Sequence, residues 1–158
     1  MTIQIDSREH KWELARIQRQ LEKLGVKTIV SKLYVGDYQS LDNPRLVIDR
    51  KKDLQELCGN VTQQHERFRK ELLRAQDAGI RIIILVEHGA DVQTQEDVYF
   101  WENPRLETSP NATTGRGLYK SLCTIRDRYE VRFEFCQKRE TGRRIMELLN
   151  NGKEEEKG

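Results

Sequence analysis

The sequence predicts an α/β fold of three layers, in which a central mixed β-sheet is flanked by helices. Apolar patterns of period two alternate along the chain with patterns of period 3.6, as strands and helices do in an α/β sandwich. The run from Ile80 to Val86 is nearly continuous and β-branched, which is typical of a central strand covered on both faces. A hairpin pattern over residues 37–51 makes the predicted sheet mixed rather than purely parallel.

Periodicity and end signals predict the elements of the first half. Isoleucines alternate with polar residues over residues 2–5 and predict a strand. Leucines and isoleucines at three- and four-residue spacing predict a helix over about residues 10–24, and Gly25 is a favoured residue just beyond a helix end. Further strands are predicted over residues 26–33, 37–41 and 46–51, with a turn at residues 42–45.

The second half is predicted in the same way. Asp53 is a good N-cap for a short helix, and a longer helix follows over about residues 63–76. Residues 89–111 are polar and contain two prolines, so they are predicted to be mostly loop, with one helical turn around residues 98–102. Helices are predicted over about residues 114–128 and 140–150, and a strand over residues 131–136.

Length and composition limit the class of protein. A chain of 158 residues corresponds to one domain with a real core. We expect residues 1–151 to form that domain and residues 152–158 to form a charged, flexible tail. The net charge is only +2, so any face that binds nucleic acid depends on clustering of basic residues.

The cysteines and the hydropathy favour an intracellular protein. Three cysteines, an odd number, lie inside apolar patterns at Cys58, Cys123 and Cys136, so we expect reduced core residues rather than disulfides or a zinc site. No apolar run approaches transmembrane length and the first residues do not form a signal peptide. We therefore expect a cytoplasmic protein that does not bind membranes, and a nucleoid-associated or virus-encoded protein is the alternative.

The stretch from Gly36 to Asp53 contains the acidic and basic residues that are the best candidates for a functional site. Alternate side chains share a face of a strand, so Asp49 and Lys51 point one way and Arg50 points the other. Asp37 can join the first two only if it lies opposite Asp49 or Lys51. A four-residue hairpin loop would put Asp37 on the wrong face, whereas a three- or five-residue loop or a bulge restores the alignment.

Two carboxylates that converge in this way suit a hard divalent cation. Mg²⁺ prefers about six oxygen ligands and keeps several waters. Asp37 and Asp49 are the predicted metal ligands, the backbone carbonyl of Arg50 completes the set, and Mn²⁺ is the expected substitute. Such an ion polarises a phosphate and lowers the pKa of bound water, while Lys51 orients the water or stabilises developing charge.

Two acids near the N-terminus extend this predicted catalytic group. Asp6 ends the first strand and Glu9 enters the first helix, so both could reach the same end of the sheet as Asp37. They are expected to serve as outer ligands or to hold Lys51 and Arg8. Arg8 and Arg50 are natural anchors for these carboxylates or for DNA phosphate.

These residues together resemble a known family. Asp6-Ser7-Arg8-Glu9, Gly36-Asp37-Tyr38 and Val47-Ile48-Asp49-Arg50-Lys51 followed by Asp53 are similar to the motifs of XPF-type structure-specific endonucleases, which include the archaeal Hef nuclease. The resemblance spans about residues 2–150. It implies the restriction-endonuclease-like fold, dependence on Mg²⁺ or Mn²⁺, and cleavage of branched DNA such as flaps, forks and junctions.

The resemblance assigns roles and leaves alternatives open. Asp37 and Asp49 match metal-binding acids and Lys51 the catalytic lysine, with Asp49 standing where the family has glutamate. Asp53 follows Lys51 more closely than in the family, so it is either a site residue or only a helix cap. Branch selectivity could require a homodimer or a partner protein. The rival hypotheses are a non-catalytic DNA-binding or scaffold subunit of a repair or recombination complex and, more weakly, a phosphohydrolase that does not act on nucleic acid.

Basic and polar residues elsewhere are candidates for binding DNA. Several lie on the helix of residues 63–76 or in the basic later third of the chain, where clustered cations suit phosphate contacts. The predicted DNA-binding residues are Arg8, Gln64, Arg67, Arg74, Arg116 and Lys120. Trp12, Trp101 and Tyr119 are expected to pack rather than to stack on bases.

Overall fold

A single mixed sheet forms the middle layer of the molecule. The computed structural model describes the backbone of residues 1–157 and the side chains of residues 1–152. Within that part the strands are β1 (Thr2–Ile5), β2 (Lys27–Val30), β3 (Tyr38–Ser40), β4 (Asn43–Lys51), β5 (Arg81–Glu87) and β6 (Arg132–Cys136). Their order in the sheet is β2-β1-β3-β4-β5-β6. Strand β3 runs antiparallel to both of its neighbours, and the other pairs are parallel.

Helices cover both faces of this sheet. They are α1 (Lys11–Lys23), α2 (Leu54–Val61), α3 (His65–Asp77), α4 (Gly115–Tyr129) and α5 (Thr141–Lys157). The apolar side chains form two clusters, one between the sheet and α2, α3 and α4, the other between the sheet and α1 and α5. The predicted three-layer α/β sandwich with a mixed sheet is confirmed.

Strict alternation along the central strands divides the core between these clusters. Val47 and Ile84 face α2, α3 and α4, whereas Ile48 and Leu85 face α1 and α5. All four are at most 1% exposed, and full burial of such a side chain contributes about 1.5–3 kcal/mol. The predicted burial of the fifth strand on both faces is confirmed, because every residue from Ile82 to Glu87 is buried.

Some predicted boundaries differ from the structure. The second strand is shorter than predicted, and residues 89–111 contain two 3₁₀ turns, Glu96–Phe100 and Pro104–Glu107, where one was predicted. Helix α5 continues to Lys157 instead of ending near residue 150. Gly158 and the side chains from residue 153 lie outside the described residues, so the flexibility of the predicted tail stays a prediction.

The cysteine and aromatic predictions are each confirmed in part. Cys58 and Cys136 are buried as predicted, whereas Cys123 is only half-buried, and all three carry free thiols. Trp101 packs in the core at 8% exposure, but the packing prediction is wrong for Trp12, which is 76% exposed on α1. In the part of the chain that is described, no helix is long and apolar enough to span a bilayer.

Two local features fix the segment that leads into and out of the central hairpin. Asp53 caps α2, since its side chain accepts a hydrogen bond from the Glu56 amide at 2.8 Å, as predicted. Gly36 has φ of +78°, and a Cβ there would lie 2.9 Å from Val47 Cγ2. Only glycine therefore fits both the backbone and the space before Asp37.

Replacing Gly36 with alanine should destabilise the fold by more than the same change at Gly25. Gly25 has φ of +75°, but no atom lies within 4 Å of the point that a Cβ would occupy, so G25A meets only the left-handed backbone penalty of about 1–2 kcal/mol. G36A adds the clash with Val47. Urea unfolding of both variants measures the difference, and equal losses would show that Val47 does not crowd Gly36.

Candidate active site

The register of β3 against β4 brings the predicted acids together. Tyr38 pairs with Ile48 and Gln39 with Val47, but Ser40 pairs with Asn43, so the register shifts and residues 44–46 form a bulge. Extending the Tyr38 pairing by one residue places Asp37 opposite Asp49. The Asp37 amide also donates to the Ile48 carbonyl at 2.8 Å. The predicted alignment is thus met by a bulge.

Asp37 and Asp49 form a close acid pair. One oxygen of Asp37 accepts a hydrogen bond from the Arg50 amide at 2.8 Å, and the carboxyl group lies near enough to that of Asp49 for their charges to interact. Burial, and next the charge of Asp49, raise the pKa of Asp37 well above its usual value. Without a cation, the pair therefore holds a proton at pH values where an exposed aspartate is ionised.

Lys51 lies beside this pair on the same face of β4. Its Nζ is 3.3 Å from Asp49 Oδ2 and 5.7 Å from the centroid of the Phe68 ring. Burial alone would lower the pKa of Lys51, but Asp49 and other nearby acids outweigh it and the pKa is raised. Lys51 is therefore a buried ammonium group, only 7% exposed.

A polar cleft of about 650 Å³ opens from Lys51 between α2 and α3. Asp53 and Glu56 from the α2 side and Gln64, Arg67 and Glu71 from the α3 side are among its lining residues. Burial raises the pKa of both Glu56 and Glu71. The cleft thus combines the acids Glu56 and Glu71 with the cation of Arg67, which lies one turn before Glu71 on α3.

Arg50 points to the opposite face of the sheet, as the alternation predicts. Its guanidinium contacts Glu9 through Nη2 at 2.9 Å and Nε at 3.1 Å, and Glu87 through Nη1 at 2.5 Å. Glu9 also accepts from the Tyr38 hydroxyl at 2.8 Å. Burial would raise the pKa of Glu9, but its hydrogen bond to Arg50 and the Arg50 charge lower it. Glu9 therefore holds Arg50, rather than Lys51 or Arg8.

Asp6 is likewise occupied with a partner of its own. It accepts from Arg8 Nε at 2.9 Å and from the Leu33 amide at 2.9 Å. Arg8 in turn donates to the Leu33 carbonyl at 3.0 Å. These contacts fasten the segment that precedes Gly36, so Asp6 supports the backbone near Asp37, and its direct role in catalysis stays a prediction.

The six candidate DNA-binding residues are dispersed. Gln64 and Arg67 line the cleft that Lys51 opens into. Arg74 covers the ring of Tyr34, with its guanidinium carbon 4.0 Å from the ring centroid. Lys120 lines a separate apolar pocket between α3 and α4, and Arg116 lies over Tyr99 at 6.0 Å.

The donor set near Lys51 suits a hard divalent cation. Among the residues whose side chains are described, no three acidic, histidine or cysteine groups lie close enough together to form a metal site. The pair Asp37 and Asp49 supplies two carboxylates, which repel each other unless a proton or a cation lies between them. Oxygen donors of this kind, completed by a main-chain carbonyl and waters, match the preferences of Mg²⁺.

Sequence reasoning gave no support for one buried acid. Glu87 ends β5, is 1% exposed, and binds Arg50, Arg16 and Thr141. Its position at the end of a buried apolar run is the one local signal that the sequence offers. Its partners come from α1, β4 and α5, and only the fold reveals them.

Comparisons with known proteins agree with this geometry. The model of the ERCC4 domain family matches residues 5–148. The solved structure of XPF from Aeropyrum pernix superposes with a TM-score of 0.69 at 21% identity, and it covers 97% of this chain and 65% of that one. XPF from Aeropyrum pernix in complex with DNA gives a TM-score of 0.69 at 20% identity, with the same coverage.

The matches cover different shares of the proteins compared. No curated protein matches the sequence significantly, and this chain spans 65% of the length of the Aeropyrum protein. The structural likeness confirms the predicted restriction-endonuclease-like fold. Because the family match covers nearly the whole folded region, the chain belongs to the ERCC4 domain family.

Proposed function

We propose that this protein is a metal-dependent DNA endonuclease that hydrolyses phosphodiester bonds. The observation that carries the proposal is the meeting of Asp37 and Asp49 next to the buried ammonium group of Lys51. The family match supports it, because the chain keeps both acids and the lysine in the motifs that resemble XPF-type nucleases. A non-catalytic scaffold would have no need to keep this arrangement.

Each residue of the site has a proposed task. Asp37, Asp49 and the main-chain carbonyl of Arg50 would hold Mg²⁺, with Mn²⁺ as the substitute. When bound, the cation supplies charge to polarise the scissile phosphate and to acidify a water. Lys51, held as an ammonium by Asp49, would orient that water or stabilise the negative charge that develops on the phosphate.

We further propose that the substrate is branched DNA, such as a flap, fork or junction. The resemblance to structure-specific nucleases supports a branched substrate, and the solved complex of the Aeropyrum protein with DNA supports the binding of DNA. The cleft beyond Lys51 is polar and carries Arg67, a suitable contact for a phosphate. A second copy or a partner protein would supply further branch selectivity.

Replacing Lys51 with alanine should abolish most cleavage while DNA binding persists. Removal of one electrostatic stabiliser of the transition state lowers kcat by about 10²–10³. Labelled forked and flapped DNA, incubated with Mg²⁺ or with EDTA, measures the rate, and binding is measured in Ca²⁺. Lys52 is the matched control, because it lines the same cleft but is exposed; K52A should cut at nearly the wild-type rate.

The outcomes of that assay separate the hypotheses. Unchanged cleavage by K51A would remove Lys51 from the mechanism. A wild-type protein that binds branched DNA yet never cuts it with Mg²⁺ or Mn²⁺ would favour the scaffold alternative. Cleavage in EDTA would refute the dependence on metal.

Replacing Asp37 with asparagine should stabilise the metal-free protein at neutral pH. Asparagine mimics the protonated carboxyl group, so it keeps the acceptor for Arg50 and relieves the repulsion by Asp49. The raised pKa of Asp37 in the folded state means that its contribution to stability is complete below the unfolded pKa of about 3.9 and is lost as pH rises through the folded value.

Thermal unfolding in EDTA tests this prediction. D37N should melt higher than wild type at pH 7–8, and the gap should shrink as the pH falls. Mg²⁺ or Mn²⁺ should raise the melting temperature of the wild type but not that of D37N. A gap that does not change with pH would show that Asp37 is ionised in the folded protein.

Replacing Arg67 with alanine should weaken DNA binding more than the same change at Lys120. Arg67 lines the cleft next to Lys51, whereas Lys120 lies in the pocket between α3 and α4. Loss of one phosphate contact should reduce the slope of log Kd against log salt by about one. Fluorescence anisotropy in Ca²⁺ at several salt concentrations measures both slopes, and an equal effect of R67A and K120A would place DNA over both surfaces.

A further inference from the structure

Glu87 is an acid at the carboxyl end of β5 whose side chain is fully buried. One of its oxygens accepts from Arg50 Nη1 at 2.5 Å. The other accepts from Arg16 Nη2 and from the Thr141 hydroxyl, each at 2.5 Å. Every contact ties β5 to another element: α1 through Arg16, β4 through Arg50 and α5 through Thr141.

Glu87 and Glu9 together immobilise the side chain of Arg50. Glu9 takes Nε and Nη2, and Glu87 takes Nη1, so the guanidinium is held from both sides. The main chain of Arg50 lies between Asp49 and Lys51, and its amide donates to Asp37 at 2.8 Å. Arg50 therefore connects the network behind the sheet to the segment of β4 that carries Asp49 and Lys51 and that contacts Asp37.

Stability alone is a weak explanation for this network. Buried ion pairs lose solvation free energy that their attraction often fails to recover, and well-packed apolar residues are frequently as stable. The other residues of β5 on the same face, such as Ile83 and Leu85, show that apolar packing is available there. On this face of β5 the fully buried charged side chain is that of Glu87, at the strand end that adjoins the acid pair.

We propose that Glu87 is a positioning residue for the nuclease site. It acts through Arg50, on the far face of the sheet, to fix the main chain between Asp49 and Lys51. The strength with which Asp37 and Asp49 hold a divalent cation depends on that placement. This inference rests on the proposed function. It assigns Glu87, with its partners Arg16 and Thr141, the task of supporting the proposed metal site.

The main test is the substitution Glu87→Gln, which keeps the shape and removes the charge. Arg16 keeps its ion pair with Glu13, and Arg50 keeps its ion pairs with Glu9 and Glu13, so the variant network holds two cations and two acids and leaves neither arginine without a partner. Loss of an outer partner of a metal site typically costs about 10–100-fold in metal affinity or activity. We expect E87Q to need about tenfold more Mg²⁺ for half-maximal cleavage of forked DNA, with unchanged DNA affinity in Ca²⁺.

Two further variants make the result specific. Arg16→Met removes one donor but leaves the contact between Glu87 and Arg50, so it should shift the Mg²⁺ requirement in the same direction by less, even if E87Q folds poorly. Glu134→Gln is the matched control, because Glu134 also binds two arginines, Arg132 and Arg144, but lies on β6. E134Q should keep the wild-type Mg²⁺ requirement.

The outcomes distinguish this inference from the function on which it rests. If the wild type does not cut DNA with any divalent cation, the proposed function fails. If the wild type cuts and folded E87Q or R16M shows the wild-type Mg²⁺ dependence, the positioning role is overturned, even where the melting temperature falls. A raised Mg²⁺ requirement that Mn²⁺ partly restores supports the role, because Mn²⁺ binds the same oxygen ligands.

Discussion

The pairing of β3 with β4 is the constraint on which the candidate site depends. Two aspartates do not lie side by side in a site that is largely shielded from water unless the surrounding structure forces them together. Here the register on either side of the bulge supplies that force, and Gly36 lets the chain turn closely over Val47 before Asp37. The acid pair is thus held in place by main-chain hydrogen bonds and by packing.

Alternation along β4 separates the proposed reacting groups from the groups that hold them. Asp49 and Lys51 share the face that carries Val47, and Arg50 shares the face that carries Ile48. Lys51 thereby neutralises charge beside the cleft while Arg50 is satisfied by Glu9 and Glu87 behind the sheet. Because these cations lie on opposite faces, each can be fully paired without competing for the other's acids.

The sequence predicted what depends on local periodicity and end signals. The alternation placed Asp49 and Lys51 on one face and Arg50 on the other, and Asp53 was recognised as a cap from its chain position. The bulge was only one of several solutions, since register depends on pairing with a strand whose position the sequence does not state. The contacts of Glu87 with Arg16 and Thr141 bridge 71 and 54 residues of chain, and such partners have no local signal.

The raised pKa of Asp37 connects the fold to the proposed chemistry. Limited contact with water and the charge of Asp49 raise the pKa of Asp37, so a divalent cation that binds the pair competes with a proton. The repulsion between the two carboxylates is therefore present before any ligand binds. It favours the binding of a proton or a metal cation between them. Since Arg50 fixes one oxygen of Asp37 through its amide, the shape of that space is set by the strand itself, and the buried network behind the strand determines how firmly the shape is kept.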